Sequence, residues 1–183
     1  MVPFKSIKLD KKEIEKNIEE LKKGNIKAIE ILYKSTSSSI YSFALSILKN
    51  ANNAEDILQE VYIKIYQNAD KYKSKGNPMA WIIEITKNLC YMEIRKRKDT
   101  CDINEIIDIL PDNKRMNIED RVFLYNIFNL LSNEERQIIT LHIISGFKHR
   151  EISKILDIPL STTLSKYNRA LKKIRNKMEE GVN

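Results

Sequence analysis

The sequence predicts an all-α protein of two small helical domains, the second a helix-turn-helix domain, joined by a flexible acidic linker. Three observations carry this. Apolar residues recur at helical rather than alternating spacing along most of the chain. Glycine and proline, four of each in 183 residues, are too few for a chain of many short strands and turns. The charge also changes abruptly after Lys98, where a basic run gives way to residues 99–112, with five acidic residues and no basic one. The domains therefore fall at residues 1–98 and 118–183, with the linker at 99–117.

Each element has its own signal. Asp10 with Glu13 three residues later has capping-box spacing, and Ile14, Ile18 and Leu21 mark one face of a helix ending near Gly24. A second helix carries Ile29, Leu32 and Tyr33 and loosens over the serine run at 35–39. Residues 40–48, dense in aromatic and aliphatic side chains, form the most buried stretch. After a polar turn at 49–53, Asn53 is the expected N-cap of a two-faced helix reaching about Asn68, with Ile57, Leu58, Val61, Tyr62 and Ile65 inward. Residues 70–78 read as a loop, and Pro78 suits the first turn of the next helix, which holds Trp81, Ile82, Ile85, Leu89, Met92 and Ile94. Past the linker, Val122, Leu124, Tyr125 and Phe128 mark a helix ending at Leu131. Ser132 and Glu135 form a second capping box, opening a helix that buries Ile138 and Ile139 and stops at Gly146. A short helix at 149–156, a turn through Asp157, Ile158 and Pro159, and a last helix capped by Ser161 and reaching about Met178 complete a helix-turn-helix layout.

The net charge of +7 and pI of about 9.2 bias the chain toward polyanions, either nucleic acid or an anionic membrane surface. No stretch approaches the roughly 18 apolar residues of a membrane span, and residues 1–12 lack a signal-peptide core, so a cytoplasmic location is expected. Cys90 and Cys101 match no metal spacing and lie away from His142 and His149; free thiols are expected, with no metal and no cofactor. No nucleophile neighbours a histidine and no glycine-rich phosphate loop is present, so catalysis is not expected.

Three features remain as candidate sites. The last helix carries Lys166, Arg169, Lys172, Lys173, Arg175 and Lys177 with no acidic residue between Thr162 and Met178. Its hydroxyls Ser161, Thr162 and Ser165 stand near the helix start, where backbone amides favour a phosphate. A solubilising face explains the charge equally well in isolation; the short helix and turn in front of it favour duplex DNA. His149 begins that short helix, where it either touches phosphate or has no role. The second feature is Lys87 with the run Arg95, Lys96, Arg97 and Lys98 after an aromatic-rich helix. Stacking surface beside phosphate-neutralising charge suits single-stranded or flipped bases, although Trp81 itself reads better as a core anchor. The third is the Asp56, Gln59, Glu60 face, either a solvated face or a docking patch for a basic partner.

These residues resemble the extracytoplasmic-function group of bacterial RNA polymerase sigma factors, over about residues 25–98 and 120–175. The run from Ala54 to Tyr62 is similar to the family's polymerase-binding helix, and Gly76 to Lys98 matches its pattern at Trp81, Ile85, Asn88, Arg95 and Arg97. Further on, Leu130, Leu131, Ser132, Arg136, Glu151, Ile152, Ser153, Ile158, Pro159, Thr162, Ser165, Arg169 and Ala170 fall on the family's second signature.

The resemblance implies an alternative sigma factor, not an enzyme, that binds core RNA polymerase and directs promoter-specific initiation. Asp56, Gln59, Glu60 and Lys64 would contact polymerase. Tyr72, Lys73, Lys75, Asn77, Lys87, Asn88, Tyr91, Arg95, Lys96, Arg97 and Lys98 would recognise and melt the minus-ten element. His149, Arg150, Ser161, Thr162, Thr163, Leu164, Ser165, Lys166, Arg169, Lys172 and Lys173 would read the minus-thirty-five element. Promoter DNA and core polymerase are the implied partners, and an anti-sigma protein inhibits many members of the group. The other reading of the residues is a free-standing helix-turn-helix regulator that binds duplex DNA as a dimer.

The chain also departs from the family. Pro78 and Met79 replace an aromatic and a basic residue, and Met92 replaces an aspartate. In the last helix Thr163, Leu164, Lys166 and Leu171 stand at the usual valine, lysine, arginine and arginine positions. Leu164 lies on DNA by the family template and contacts a thymine methyl there; by its spacing with Tyr167 and Leu171 it lies on an apolar seam.

Overall fold

The structure, a computed structural model, describes residues 10–74, 76–98 and 128–180. Among them the helices are α1 (Lys11–Lys22), α2 (Ala28–Leu48), α3 (Ala51–Asn68), α4 (Pro78–Lys98), α5 (Asn133–Ile139), α6 (His149–Leu156) and α7 (Leu160–Glu180). A 3-10 turn, Ala69–Lys71, follows α3, and a π-helical turn, Thr140–Ile144, extends α5. The described residues form no strand, as the apolar spacing requires. The acidic linker, the expected helix through Val122 and Leu124, and Lys75 lie outside the described residues.

The α2 helix is the spine of the first domain, with α1, α3 and α4 packed around it. Ile14 and Ile18 of α1, Leu32, Ile40 and Phe43 of α2, Val61 and Ile65 of α3, and Ile82 and Ile83 of α4 are fully buried together. Each such side chain contributes about 1.5–3 kcal/mol of transfer free energy. Asp10 caps α1 as its spacing predicts, accepting from the N–H groups of Lys12 at 2.9 Å and Glu13 at 3.3 Å.

Two local expectations are corrected in the first domain. The serine run does not loosen α2, which continues unbroken from Ala28 to Leu48; within it Ser35 donates to the Ile31 carbonyl at 3.0 Å and Thr36 to that of Leu32 at 2.6 Å. The Thr36 hydroxyl also lies 2.8 Å from the buried Tyr62 hydroxyl of α3. In the next turn, Asn50 rather than Asn53 caps α3, accepting from the Asn53 N–H at 2.9 Å. Lys49 adopts a left-handed φ of 57°, which ends α2 and brings Asn50 into capping position three residues early.

In the second domain the Ser132–Glu135 capping box forms with both bonds in place, at 3.3 and 2.8 Å. Gly146, at φ 68°, turns the chain after the π-helical turn, and Asp157, at φ 54°, ends α6. The Thr163 N–H donates to the Pro159 carbonyl at 2.9 Å, so α7 starts at Leu160 and Ser161 lies in its first turn rather than capping it.

The two sets of helices share a core. Ile138, Leu141, Phe147, Ile152 and Ile155 belong to the same buried cluster as the α1–α4 residues. Arg136 is buried at their junction, 1% exposed. Its guanidinium donates to the carbonyls of Ser46 at 3.2 Å, Phe128 at 3.0 Å and Leu131 at 2.7 Å, and to the Asn133 side chain. The Ser46 carbonyl belongs to the last turn of α2, where the helix dipole favours a cation.

Candidate functional sites

The α3 helix turns its apolar residues to the core and leaves Asp56, Gln59 and Glu60 exposed on the far side. Lys64, half-buried beside them, donates to Gln67 at 3.3 Å. Ile63 and Tyr66 continue the same stripe, 54% and 49% exposed, at helical spacing from Asp56 and Glu60. The face is therefore acidic at one end and apolar at the other. Neither is among the residues that the sequence singles out, because a single exposed apolar residue carries no signal until the helix orientation is known.

The minus-ten candidates divide. Asn88, Tyr91 and Arg95 are exposed and aligned along α4 with Met92, which is 59% exposed, and Arg95 donates to the Tyr91 carbonyl at 3.3 Å. Lys73 and Lys96 are exposed as well; the side chains of Arg97 and Lys98 lie outside the described residues. Tyr72 is a correction. It is buried with its ring 5.0 Å from Trp81 and its hydroxyl donating to Glu15 at 3.1 Å, so it anchors the loop rather than presenting a stacking surface.

Asn77 and Lys87 face the second domain. The Asn77 amide donates to Glu151 at 2.7 Å, and the Lys87 ammonium donates to the Ile155 carbonyl at 2.6 Å while pairing with Glu84 at 2.9 Å. Glu151 also takes Lys11 at 3.2 Å and the Lys148 N–H at 2.8 Å. Burial pushes the Glu151 carboxyl up, but the Lys148 N–H, Lys11 and Asn77 outweigh it and hold the group below its ordinary range. In this arrangement the polar groups of Asn77 and Lys87 are both engaged by α6.

The minus-thirty-five candidates divide in the same manner. Ser161, Leu164, Ser165, Arg169 and Lys172 are exposed along one face of α7, Thr162 is half-buried, and Arg150 is exposed on α6. Thr163 is a correction: it is fully buried, with its hydroxyl donating to the Pro159 carbonyl at 3.1 Å. His149 is another. Its ring lies 4.3 Å from that of His142 and 4.6 Å from that of Tyr167, with Nε2 buried and unbonded among the described residues. Burial, with His142 adding to it, lowers the His149 pKa, so the ring is a neutral packing group beneath α7 rather than a phosphate ligand.

Lys166 and Lys173 are drawn inward onto α5, Lys166 to Glu134 and Lys173 to Glu135 at 2.7 Å. Burial raises the Glu135 carboxyl, and Lys173 with the Ser132 N–H more than reverses that. Arg169, Lys172 and Arg175 remain exposed, with no ion pair among the described residues. Asn168, exposed on the same face, was not anticipated; its signal was only its spacing from Ser161, Leu164 and Ser165.

No group of three or more metal-ligating side chains gathers among the described residues. Cys90 is a free thiol, and burial pushes it up to about 12; Cys101 lies outside the described residues. No described helix is long and apolar enough to cross a membrane.

A helical domain with a polar-faced helix and an aromatic–basic helix, followed by a helix-turn-helix, is the layout of a DNA-directed helical factor. Residues 32–100 match the sigma-70 region 2 family model and residues 124–174 match the sigma-70 region 4 model. The chain belongs to the sigma-70 family, in its extracytoplasmic-function group. It is 25% identical over 162 residues to the ECF RNA polymerase sigma factor SigX of Bacillus subtilis (strain 168), covering 82% of this chain and 83% of the relative. With SigW of the same organism it shares 25% identity over 182 residues, covering 91% and 97%. Among solved structures, the sigma factor RpoE from Bartonella quintana, in complex with the anti-sigma factor NepR, superposes with a TM-score of 0.68 at 23% identity. That match covers 84% of this chain and 98% of that one.

Proposed function

We propose that this chain acts as an alternative sigma factor with its tasks divided between two domains: residues 1–98 dock on core RNA polymerase and open the minus-ten element, and residues 118–183 read the minus-thirty-five element. Family membership makes the chain a regulator of transcription initiation. The observation that best supports the division is the α3 face: Asp56, Gln59 and Glu60 are exposed while every apolar partner on the other side of the helix is buried. An acidic and apolar stripe of this kind suits a basic protein surface and repels DNA. Promoter contacts fall to Asn88, Tyr91 and Arg95 on α4 and to Ser161, Leu164, Ser165, Arg169 and Lys172 on α7. The site of action is the cytoplasm, where the polymerase works.

An anti-sigma protein is a further partner in this reading, because a protein that covers α3 or holds the domains together blocks both tasks. The solved neighbour is itself a sigma factor bound to one. A free-standing dimeric regulator has no use for the α3 face.

Reconstituted transcription tests the reading. Purified chain, bacterial core polymerase and a pool of genomic promoter fragments should yield specific transcripts, absent with core alone and with the Asp56→Lys, Glu60→Lys double variant. Retention of duplex DNA with neither core binding nor transcripts would overturn it in favour of the free-standing regulator.

A further inference from the structure

The rotation of α7 is fixed by what it buries. Thr163 and Ala170 are fully buried, Ala170 packs with Leu131 and Ile174, and Tyr167 lies against the rings of His142 and His149. These positions lie on one side of the helix at 3.6-residue spacing. The opposite side presents Ser161, Leu164, Ser165 and Asn168, followed by Arg169, Lys172 and Arg175.

The first two turns of that exposed face carry no cation. Lys166, the only lysine or arginine between Leu160 and Asn168, is held on Glu134 of α5. The Ser165 hydroxyl donates back to the Thr162 carbonyl at 3.0 Å. Beyond the Ser161 hydroxyl at the helix start, what this face offers base edges is the isobutyl group of Leu164, 41% exposed, and one turn later the amide of Asn168, which makes no hydrogen bond among the described residues.

The two side chains have distinct partners in a major groove. A leucine packs against the C5-methyl of thymine, while an asparagine amide donates to N7 and accepts from N6 of adenine. Guanine is read by arginine or lysine donating to O6 and N7, and the leading turns of α7 offer neither. Residues four apart on a helix are about 6 Å apart, which is reach enough for adjacent base steps.

We propose that Leu164 and Asn168 form an apolar–amide reading pair that selects a thymine and a neighbouring adenine in the minus-thirty-five element, with Arg169, Lys172 and Arg175 supplying sequence-independent phosphate contacts. The inference rests on the assignment of α7 to that element. It gives this chain an A·T-directed preference at positions where a cationic side chain would select guanine. Leu164 thus lies on the DNA side rather than on the apolar seam.

The test uses holoenzyme reconstituted from the full chain and core polymerase, with bound fragments selected from promoters randomised across the minus-thirty-five window. The intact protein should enrich a thymine beside an adenine. Leu164→Ala should reduce the thymine preference about tenfold and leave the adenine, and Asn168→Ala should do the reverse. Leu164→Lys should transfer the preference at the first position to guanine. Both side chains are exposed, so the melting temperatures should match that of the parent. Identical base frequencies in parent and alanine variants, or a guanine-anchored element selected by the parent, would overturn the reading pair while the α7 assignment stands. Initiation with no preference anywhere in the window would overturn the assignment and the pair together.

Discussion

The polar faces of α3 and α7 are each of one sign in sequence, acidic on α3 and basic on α7, and they fare differently in the fold. The charges of α3 at Asp56 and Glu60 point into solvent, and its apolar half is fully committed to the core. On α7 two of the expected contact lysines, Lys166 and Lys173, are tied to Glu134 and Glu135 of the neighbouring helix, and only part of the basic surface is left for a polyanion. A face is thus set by what lies beside the helix as much as by the helix itself. An acidic face that forms no ion pair among the described residues survives folding intact, whereas a basic face beside an acidic helix start is partly neutralised.

That difference has measurable edges. The largest effect is expected at α3: the Asp56→Lys, Glu60→Lys double variant should bind core polymerase about 100-fold more weakly, by surface competition, with an unchanged melting temperature. Next comes Arg169→Ala on α7, which should weaken duplex binding about tenfold across all sequences and reduce the salt slope by about 1. Lys166→Ala should change the slope far less, because its charge is already paired; equal effects of the two would erase the contrast between free and paired cations on α7. Ser132→Ala removes the cap that holds α5 and its carboxylates, and should lower the stability of the second domain by about 1 kcal/mol in denaturant unfolding.

Acid offers a finer probe of the second domain. The lowered pKa of His149 means that its contribution to stability is present above the ordinary value of 6.5 and is lost as pH falls below it. Glu135, also lowered, contributes above its ordinary 4.5 and fails below that. Thermal melts should therefore weaken in two stages on acidification, and His149→Phe should remove the upper stage. A parent and variant with the same pH profile between 7 and 5.5 would show that the histidine stack carries no linkage.

Much of this was legible in the chain. The helices, the Ser132 capping box, the inward face of α3 and the start of α4 at Pro78 follow from spacing and local chemistry alone. What escaped depends on long-range partners. Thr163 reads as an exposed hydroxyl until the Pro159 carbonyl accepts its hydrogen bond, and Tyr72 reads as a loop aromatic until Trp81 and Glu15 bury it. The Asn50 cap was missed because Asn53 offers the same chemistry three residues on, and only the left-handed Lys49 decides between them. Nothing in the composition shows that the two domains share a core, since merged and separate cores draw on the same apolar positions.

Glu151 serves both domains at once. Its carboxylate caps α6 through the Lys148 N–H and simultaneously holds Lys11 and Asn77 of the first domain. Releasing Asn77 to bind elsewhere therefore removes a partner from a helix that must stay folded to support α7. The free energy of the closed form is subtracted from any event that needs it open: each tenfold preference for closure reduces the apparent affinity of polymerase or promoter tenfold, about 1.4 kcal/mol. A Glu151→Gln variant weakens the grip without removing the cap, and so acts as a gain control on how readily the chain is recruited.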